Sequence, residues 1–412
     1  MAKKSQDQVL VGLDIGTTKV LVIVAEFNDQ GSMKIIGLGH HHAKGMKKGV
    51  VSDIESTVQS IQKAVEEASL MANCNIGSVY VGIAGAHIRS INSHGVAAIK
   101  SGEVDQGDVQ RVLDAARALA VPNGQRILHV LPQDFSIDEQ QGIHDPIGMS
   151  GVRMEAGVHV ITGSNSAAQN IMKCIRCCGL EVNDLVLEQI ASSESVLTYD
   201  EKDLGVCMVD IGGGTTDIAV YHDGFIKHTA VIPIAGDQVT NDVAIALNTP
   251  RTAAEDIKKR YGNALIQMVD KHQEIEIPSI GGRPPRTLLR WALAEVIEPR
   301  IDELMVLVQA ELSRSGFLDM IGSGIVLTGG TSRLEGIVEL TEEIFHLPVR
   351  QGLPDYRGNL EQSVRNPIYS TGIGLVKYGY ARQSRPSPFL NESLGKGSMG
   401  RSVKGWVRSV FS

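Results

Sequence analysis

The sequence predicts an α/β fold in which two copies of one domain face each other across a cleft, and three observations predict it. The first is a repeated unit of strand, glycine-threonine turn and strand. Asp14-Ile15-Gly16-Thr17-Thr18 lies in "QVLVGLDIGTTKVLVIVAEF", and Asp210-Ile211-Gly212-Gly213-Gly214-Thr215-Thr216 lies in "LGVCMVDIGGGTTDIAVYHDG". Apolar, β-branched runs flank both turns, so the halves read as structural copies. The second is another glycine turn in "TGGTSRLEG" (328–336), where an apolar strand runs into a glycine pair and then a helix. The third is size: 412 residues exceed what one hydrophobic core serves, and 42% hydrophobic residues suffice to fill two.

Along the chain, residues 1–85 read as the first part of domain 1. After the hairpin, "DIESTVQSIQKAVEEASLMA" has apolar residues at helical spacing with Ser52 or Asp53 as cap, and "VYVGIAG" is a buried strand. Residues 86–162 break this rhythm with a short strand, then a capped helix from Asp105 to Ala120. Val109, Val112, Leu113 and Ala116 share one face of that helix, and strands follow in "RILHVLPQDFSI" and "GVHVITG". A small inserted α/β subdomain is expected there.

Residues 163–204 return to domain 1 through a helix, a strand and a crossing helix. Residues 205–345 form domain 2, with helical stretches after Asp237, the loop "GGRPPR" and a long amphipathic helix from Trp291 to Ser313; residues 346–382 close domain 1. Residues 383–400, "QSRPSPFLNESLGKGSMG", are rich in Ser, Pro and Gly and read as a flexible linker to a terminal segment at 401–412.

Composition narrows the function. No apolar run approaches the ~18 residues that cross a bilayer, and "MAKKSQDQVL" lacks an apolar signal segment, so a cytoplasmic protein is expected. Five cysteines without an export signal predict reduced thiols. The formal net charge of −8 disfavours general nucleic-acid binding. The C-terminal end differs: from residue 381 onward Arg382, Arg385, Lys396, Arg401, Lys404 and Arg408 face a single acid, Glu392.

A glycine-threonine turn between strands brings backbone N–H groups to one point without side-chain obstruction, and threonine hydroxyls add donors. Such a nest suits phosphate, and two of them from two domains can clamp a polyphosphate from opposite sides. Asp14 and Asp210, each opening a turn, suit Mg²⁺ held through water, and Lys19 can reach a phosphate oxygen. Gly329, Gly330 and Thr331 offer open backbone before a helix, and Gly236 in "IAGDQVTND" allows close approach. Glu255, Lys258 and Lys259 in "AEDIKKRYG" are spaced to read adenine and ribose edges.

Two "DIG…TT" turns followed by a "TGG" turn resemble the actin, Hsp70 and sugar-kinase superfamily. Within it, the chain from Val9 to about Arg382 resembles the FtsA family of bacterial cell-division proteins. The resemblance rests on "KKGVVSDIEST", "VYVGIAGAHIRSINSHG", "LPQDFSIDEQQGIHDPIGMSGVRMEA", "DIGGGTTDIAVY", "SGIVLTGGTSRLEG" and "YSTGIGL". It implies an actin-like fold that lacks one usual subdomain and carries the insert instead, with ATP and Mg²⁺ in the cleft and self-assembly into protofilaments. Related ATPases place a Glu, commonly followed by Pro, where it orients the attacking water. Here "LEQIASSES" offers Glu188, but Gln189 follows, so ATP is expected to act mainly as a ligand, with hydrolysis slow.

On a helix, Val403, Trp406, Val407, Val410 and Phe411 fall within an arc of about 140°, with Lys404, Arg408 and Arg401 on the flank and polar face. A basic amphipathic helix of this kind lies in a membrane interface and favours anionic lipids. The family carries a membrane-targeting helix at this place. The resemblance also implies that the subdomain bearing "GGRPPR" binds the acidic C-terminal peptide of the tubulin-like division protein FtsZ, and that the insert meets other division proteins. Arg283, Arg286, Arg290 and Arg300 are the cationic candidates, with Arg286 and Arg300 foremost.

Cys174, Cys177 and Cys178 have no second ligand pair at zinc spacing, and the His40–His42 run is given no role. The protein expected is a non-enzymatic, ATP-binding polymer subunit on the cytoplasmic face of the inner membrane. Its rival is a sugar or small-metabolite kinase of the same superfamily, which needs a general-base Asp at the cleft and has no use for the tail.

Overall fold

The computed structural model describes residues 8–384. The linker beyond Ser384 and the terminal segment with Val403, Lys404, Trp406, Val407, Arg408, Val410 and Phe411 lie outside the described residues.

The first lobe begins with β1 (Gln8–Ile15), β2 (Lys19–Phe27) and β3 (Met33–His42), an antiparallel meander. A small hairpin, β4 (Met46–Lys47) with β5 (Val50–Val51), leads to α1 (Ile54–Ala72) and then β6 (Ser78–Ile83). Asp53 caps α1 by accepting the Ser56 N–H at 2.9 Å. The helix lays Ile61, Ala64 and Ala68 on β3, where Gly37 and Gly39 leave room for its backbone.

The insert comprises β7 (Arg89–Ala98), α2 (Gln106–Arg117), β8 (Gln125–Ile137), β9 (Gln140–Ile143) and β10 (Arg153–Ser164). Its sheet has the order β7-β10-β8-β9, and α2 covers it with Val109, Val112, Leu113 and Ala116 in a separate small core. Two expectations are corrected here. β7 is ten residues long and pairs with β10 along its whole length rather than being short. α2 stops at Arg117 instead of Ala120, because the chain must leave helical geometry before Pro122.

The chain returns through α3 (Asn165–Cys177), β11 (Glu181–Leu187), α4 (Glu188–Val196) and α5 (Tyr199–Leu204). The second lobe follows with β12 (Val206–Ile211), β13 (Thr216–His222), β14 (Phe225–Ile232), α6 (Gly236–Ala246) and α7 (Arg251–Tyr261). A hairpin of β15 (Glu274–Ile277) and β16 (Arg286–Leu289) precedes α8 (Arg290–Ser315), β17 (Ile325–Thr328), α9 (Ile337–Phe345) and β18 (Val349–Gln351). The helices α10 (Glu361–Val364) and α11 (Ser370–Ser384) close the chain on the first lobe, where Gly374 sits against the Ala191 carbonyl of α4.

The duplication is visible in the strand orders. One five-stranded sheet runs β3-β2-β1-β6-β11 and the other β14-β13-β12-β17-β18, each an antiparallel meander extended by two parallel strands. Their central strands are buried along almost their whole length, which is why they read as continuous apolar runs rather than alternating ones. Each lobe has its own large core, one around Val22, Val81 and Leu187 and the other around Val209, Leu327 and Met305.

Candidate functional site

The two glycine turns have the same local construction. In the first, Ile15 pairs with Val20 and the Gly16 N–H donates to the Lys19 carbonyl at 2.9 Å. In the second, Ile211 pairs with Thr216 and the Gly212 N–H donates to the Thr215 carbonyl at 2.9 Å. The tips face each other across the cleft. A side chain on Gly213 would collide with Thr18, and one on Gly214 with Thr17. Glycine at these positions is therefore demanded by how closely the opposing backbone approaches.

The third turn joins them at the base. Gly329 has φ +84°, and any side chain there would meet Asp210 Oδ1 and the Ile211 carbonyl. After Gly329 the chain makes a 3-10 turn over Gly330–Arg333, and α9 begins only at Ile337, so the helix expected directly behind the glycine pair is displaced. Thr331 Oγ1 donates to the Gly212 carbonyl at 2.7 Å. The start of α6 completes the floor, with the Gly236 N–H donating to the Gly212 carbonyl at 3.2 Å and the Asp237 N–H to the Gly213 carbonyl at 2.7 Å.

α7 brings Lys258 to the same floor, where its ammonium donates to the Gly236 carbonyl at 3.0 Å and Thr240 Oγ1 at 2.8 Å and pairs with Glu255 at 2.6 Å. Burial raises the Glu255 pKa, but Lys258, Thr240 and Lys259 outweigh it and hold the carboxyl at about 2. Lys259, mostly exposed, contributes a 3.1 Å ion pair to Glu255. Thr216 is buried and its hydroxyl is committed to the Ile234 carbonyl at 2.8 Å.

The electrostatic centre of the site is a group of carboxylates. Asp14 is buried and pairs with Lys19 Nζ at 2.5 Å. Asp210 is buried and accepts from Ser192 Oγ at 2.6 Å and from Thr371 Oγ1 at 3.4 Å. Burial pushes its pKa up, against the pull of the Ser192 bond. Asp217, directly opposite Asp210 in the β12–β13 ladder, accepts from Thr215 Oγ1 at 3.0 Å through Oδ2, while its buried Oδ1 has no partner. Burial and the charge of Asp210 push Asp217 up to about 8. Glu188, at the start of α4, is raised well above the usual carboxylate range by burial first and then by Asp14, Asp217 and Asp210. Four acids thus gather here, and Lys19 is the cation that acts on three of them, Asp14, Asp210 and Glu188.

That excess of negative charge suits a cation. Hard oxygen donors, excess negative charge and an unpartnered buried carboxylate oxygen are what a divalent ion such as Mg²⁺ offsets. Asp14 and Asp210 have the right chemistry to hold it through its water shell.

Sequence reasoning did not find Asp217, Ser192 or Thr371. Asp217 carried a readable signal, an acid inside an apolar strand; Ser192 and Thr371 come from remote segments with no local mark. The arginines chosen as partner candidates are largely engaged within the chain. Arg300 pairs with Asp242 at 2.5 Å and with Glu303, Arg286 donates to the Leu247 carbonyl, and Arg290 donates to the Tyr261 carbonyl at 2.8 Å and pairs with Glu335. Among the described residues no group of three or more His, Cys, Asp or Glu is arranged to hold a metal by itself, and Cys174 is buried.

Matched lobes meeting at three glycine turns, with a separate subdomain inserted in the first, define an actin-like protein. Solved structures of the same fold include the PilM-PilN type IV pilus biogenesis complex, at TM-score 0.66 and 16% identity, covering 91% of this chain and 99% of that one. MreB5 of Spiroplasma citri bound to ADP aligns at TM-score 0.53 and 16% identity, covering 92% and 97%. The family described as "Cell division protein FtsA" matches residues 207–374, and "SHS2 domain inserted in FTSA" matches residues 85–162. Cell division protein FtsA of Pseudomonas aeruginosa is 61% identical over 384 residues, 93% of this chain and 92% of that protein. Its counterpart in Escherichia coli is 45% identical over 419 residues, 100% of this chain and 99% of that one. The chain belongs to the FtsA family of cell-division proteins, which places it with an actin-like division protein rather than with metabolic kinases.

Proposed function

We propose that this chain binds ATP with Mg²⁺ between its lobes, polymerises on the cytoplasmic face of the inner membrane and anchors the FtsZ ring there during division. The observation that supports the nucleotide reading is the meeting of two identically built hairpin turns beside a cluster of buried acids. Gly16 and Gly212, whose N–H groups close the two turns, shape them, and Thr17, Thr18, Gly213, Gly214 and Thr215 present the backbone donors, with the Thr17 and Thr18 hydroxyls, to a polyphosphate. Asp14 and Asp210 would hold Mg²⁺ through water, and the ion neutralises phosphate charge when bound. The tips touch as they stand, so a triphosphate between them requires the lobes to part slightly. Gly236, Lys258, Gly329, Gly330 and Thr331 form the end that suits the nucleoside, with Glu255 and Lys259 at its edge. MreB5 has been solved bound to ADP and bound to AMPPNP, ligands of the class these turns suit.

Glu188 is the residue in this reading that would orient an attacking water. Burial, and then the charges of Asp14, Asp217 and Asp210, raise its pKa and disfavour the ionised form a water-orienting carboxylate needs, which favours slow hydrolysis and a mainly structural nucleotide. Among the described residues no helix is long and apolar enough to cross a membrane. The membrane contact is assigned to the basic, apolar pattern of 401–412, strengthened when a filament presents many copies. For the acidic FtsZ peptide, Arg286 and Arg300 remain candidates; Asp242 and Glu303 hold Arg300 in place, and a ligand carboxylate would have to share it with them.

Isothermal calorimetry of the native chain with MgATP tests the central claim. Saturable binding is the expected result, and no heat from a demonstrably folded protein would refute it.

A further inference from the structure

We propose that Lys48 contacts the terminal phosphate of the nucleotide and makes the site distinguish a triphosphate from a diphosphate; this rests on the nucleotide reading above. Lys48 lies at the tip of the β4–β5 hairpin with φ +49°. Two contacts hold that tip between the glycine turns. The Gly49 N–H donates to Thr17 Oγ1 at 3.2 Å, which ties it to the first turn. On the other side, a Cβ built on Gly214 would lie 3.0 Å from Lys48 Cα, which places the second turn directly against it. Lys48 thus sits against the second turn, and its neighbour Gly49 bonds the first.

Its charge is uncommitted. Lys19 is paired with Asp14 and Lys258 with Glu255, whereas Lys48 is exposed and has no ion-pair partner among the described residues. A lysine on a flexible four-carbon stem is a mobile point charge well suited to following a phosphate.

The direction of the site says which phosphate. Thr331 and Gly236 bond Gly212, the base of the second turn, with Lys258 on the far side of Gly236, whereas Lys48 meets Gly214, beyond its middle. A nucleotide with its nucleoside at the first group extends its phosphates toward the second. The last of them comes nearest Lys48, and a diphosphate stops short.

The β4–β5 tip also touches the root of the insert, since a Cβ on Gly49 would lie 2.9 Å from Gly85 Cα. A phosphate held by Lys48 therefore bears on the segment from which the insert departs.

The test is calorimetry of the full chain with MgATP and MgADP for the unmutated protein, Lys48→Gln and Lys47→Gln. Glutamine keeps an unbranched stem and removes the charge, and retained ADP binding certifies the fold of the variant. Lys48→Gln is expected to weaken ATP about tenfold and ADP less than twofold, while Lys47→Gln leaves both unchanged. ATP affinity unchanged in Lys48→Gln, or an equal loss for both nucleotides, overturns the assignment. If the unmutated chain binds neither nucleotide, the nucleotide reading itself fails, and the two failures are separate.

Discussion

Asp217 and Asp210 face each other across a ladder, a placement of like charges that costs stability and that a fold keeps only where another gain offsets it. Asp217 is an acid whose folded pKa lies above its unfolded value, so the stability it contributes by being neutral is fully present below about pH 4 and is lost as pH rises through about 8. Replacing it with asparagine removes that loss. In the nucleotide-free, Mg²⁺-free chain, Asp217→Asn is expected to be more stable than the unmutated protein by about 1 to 3 kcal/mol at pH 8, with the gap closing toward pH 4. The same variant should respond less to added Mg²⁺ and ATP. Urea unfolding at several pH values checks this; a pH-independent difference would place the effect elsewhere. Asp14 and Asp210 were legible because each opens a glycine turn. Ser192, which bonds Asp210 from α4, was not, because the contact joins residues 18 apart in sequence through the packing of two elements.

Among elements, the hairpins were read correctly because local chemistry dictates them: apolar runs, a glycine turn and a reversal. The insert's docking was not legible. Although it leaves the chain from the first lobe, it packs on β14 of the second through polar contacts. Ser90 Oγ donates to the Thr229 carbonyl at 2.8 Å, Asn92 Nδ2 to the Lys227 carbonyl at 3.1 Å and Gln133 Nε2 to the Ile226 carbonyl at 2.8 Å. His159, buried and held down at about 3 by that burial, stays neutral and bonds Asn92 and Thr229. These bonds satisfy the carbonyls of an edge strand that leads directly to Gly236. Gln133→Met keeps the shape and leaves the buried Ile226 carbonyl without its donor, so a loss of about 1 to 3 kcal/mol is expected, with faster amide exchange along 225–232. Unchanged exchange there would mean that the joint does not hold the strand.

For the whole molecule, the question is how a cleft, a filament and a membrane are joined. The acidic body and the basic residues beyond Arg382 divide the labour. In the proposed function, Trp406→Glu removes the largest apolar side chain of the terminal segment and adds an acid, and it is expected to abolish co-sedimentation with anionic vesicles while sparing ATP binding. Vesicle binding at the unmutated level would put the anchor elsewhere. The sequence by itself determined the repeated lobes, the place of the insert and the glycine turns, because backbone reversal, apolar periodicity and glycine's freedom act within a few residues. Tertiary structure alone decided that Asp217 and Glu188 enter the acid cluster, that Arg300 is already paired, and that Lys48 stands between the turns. Those outcomes depend on how separate elements approach in space, and burial, which sets their charge states, does not exist until they have met.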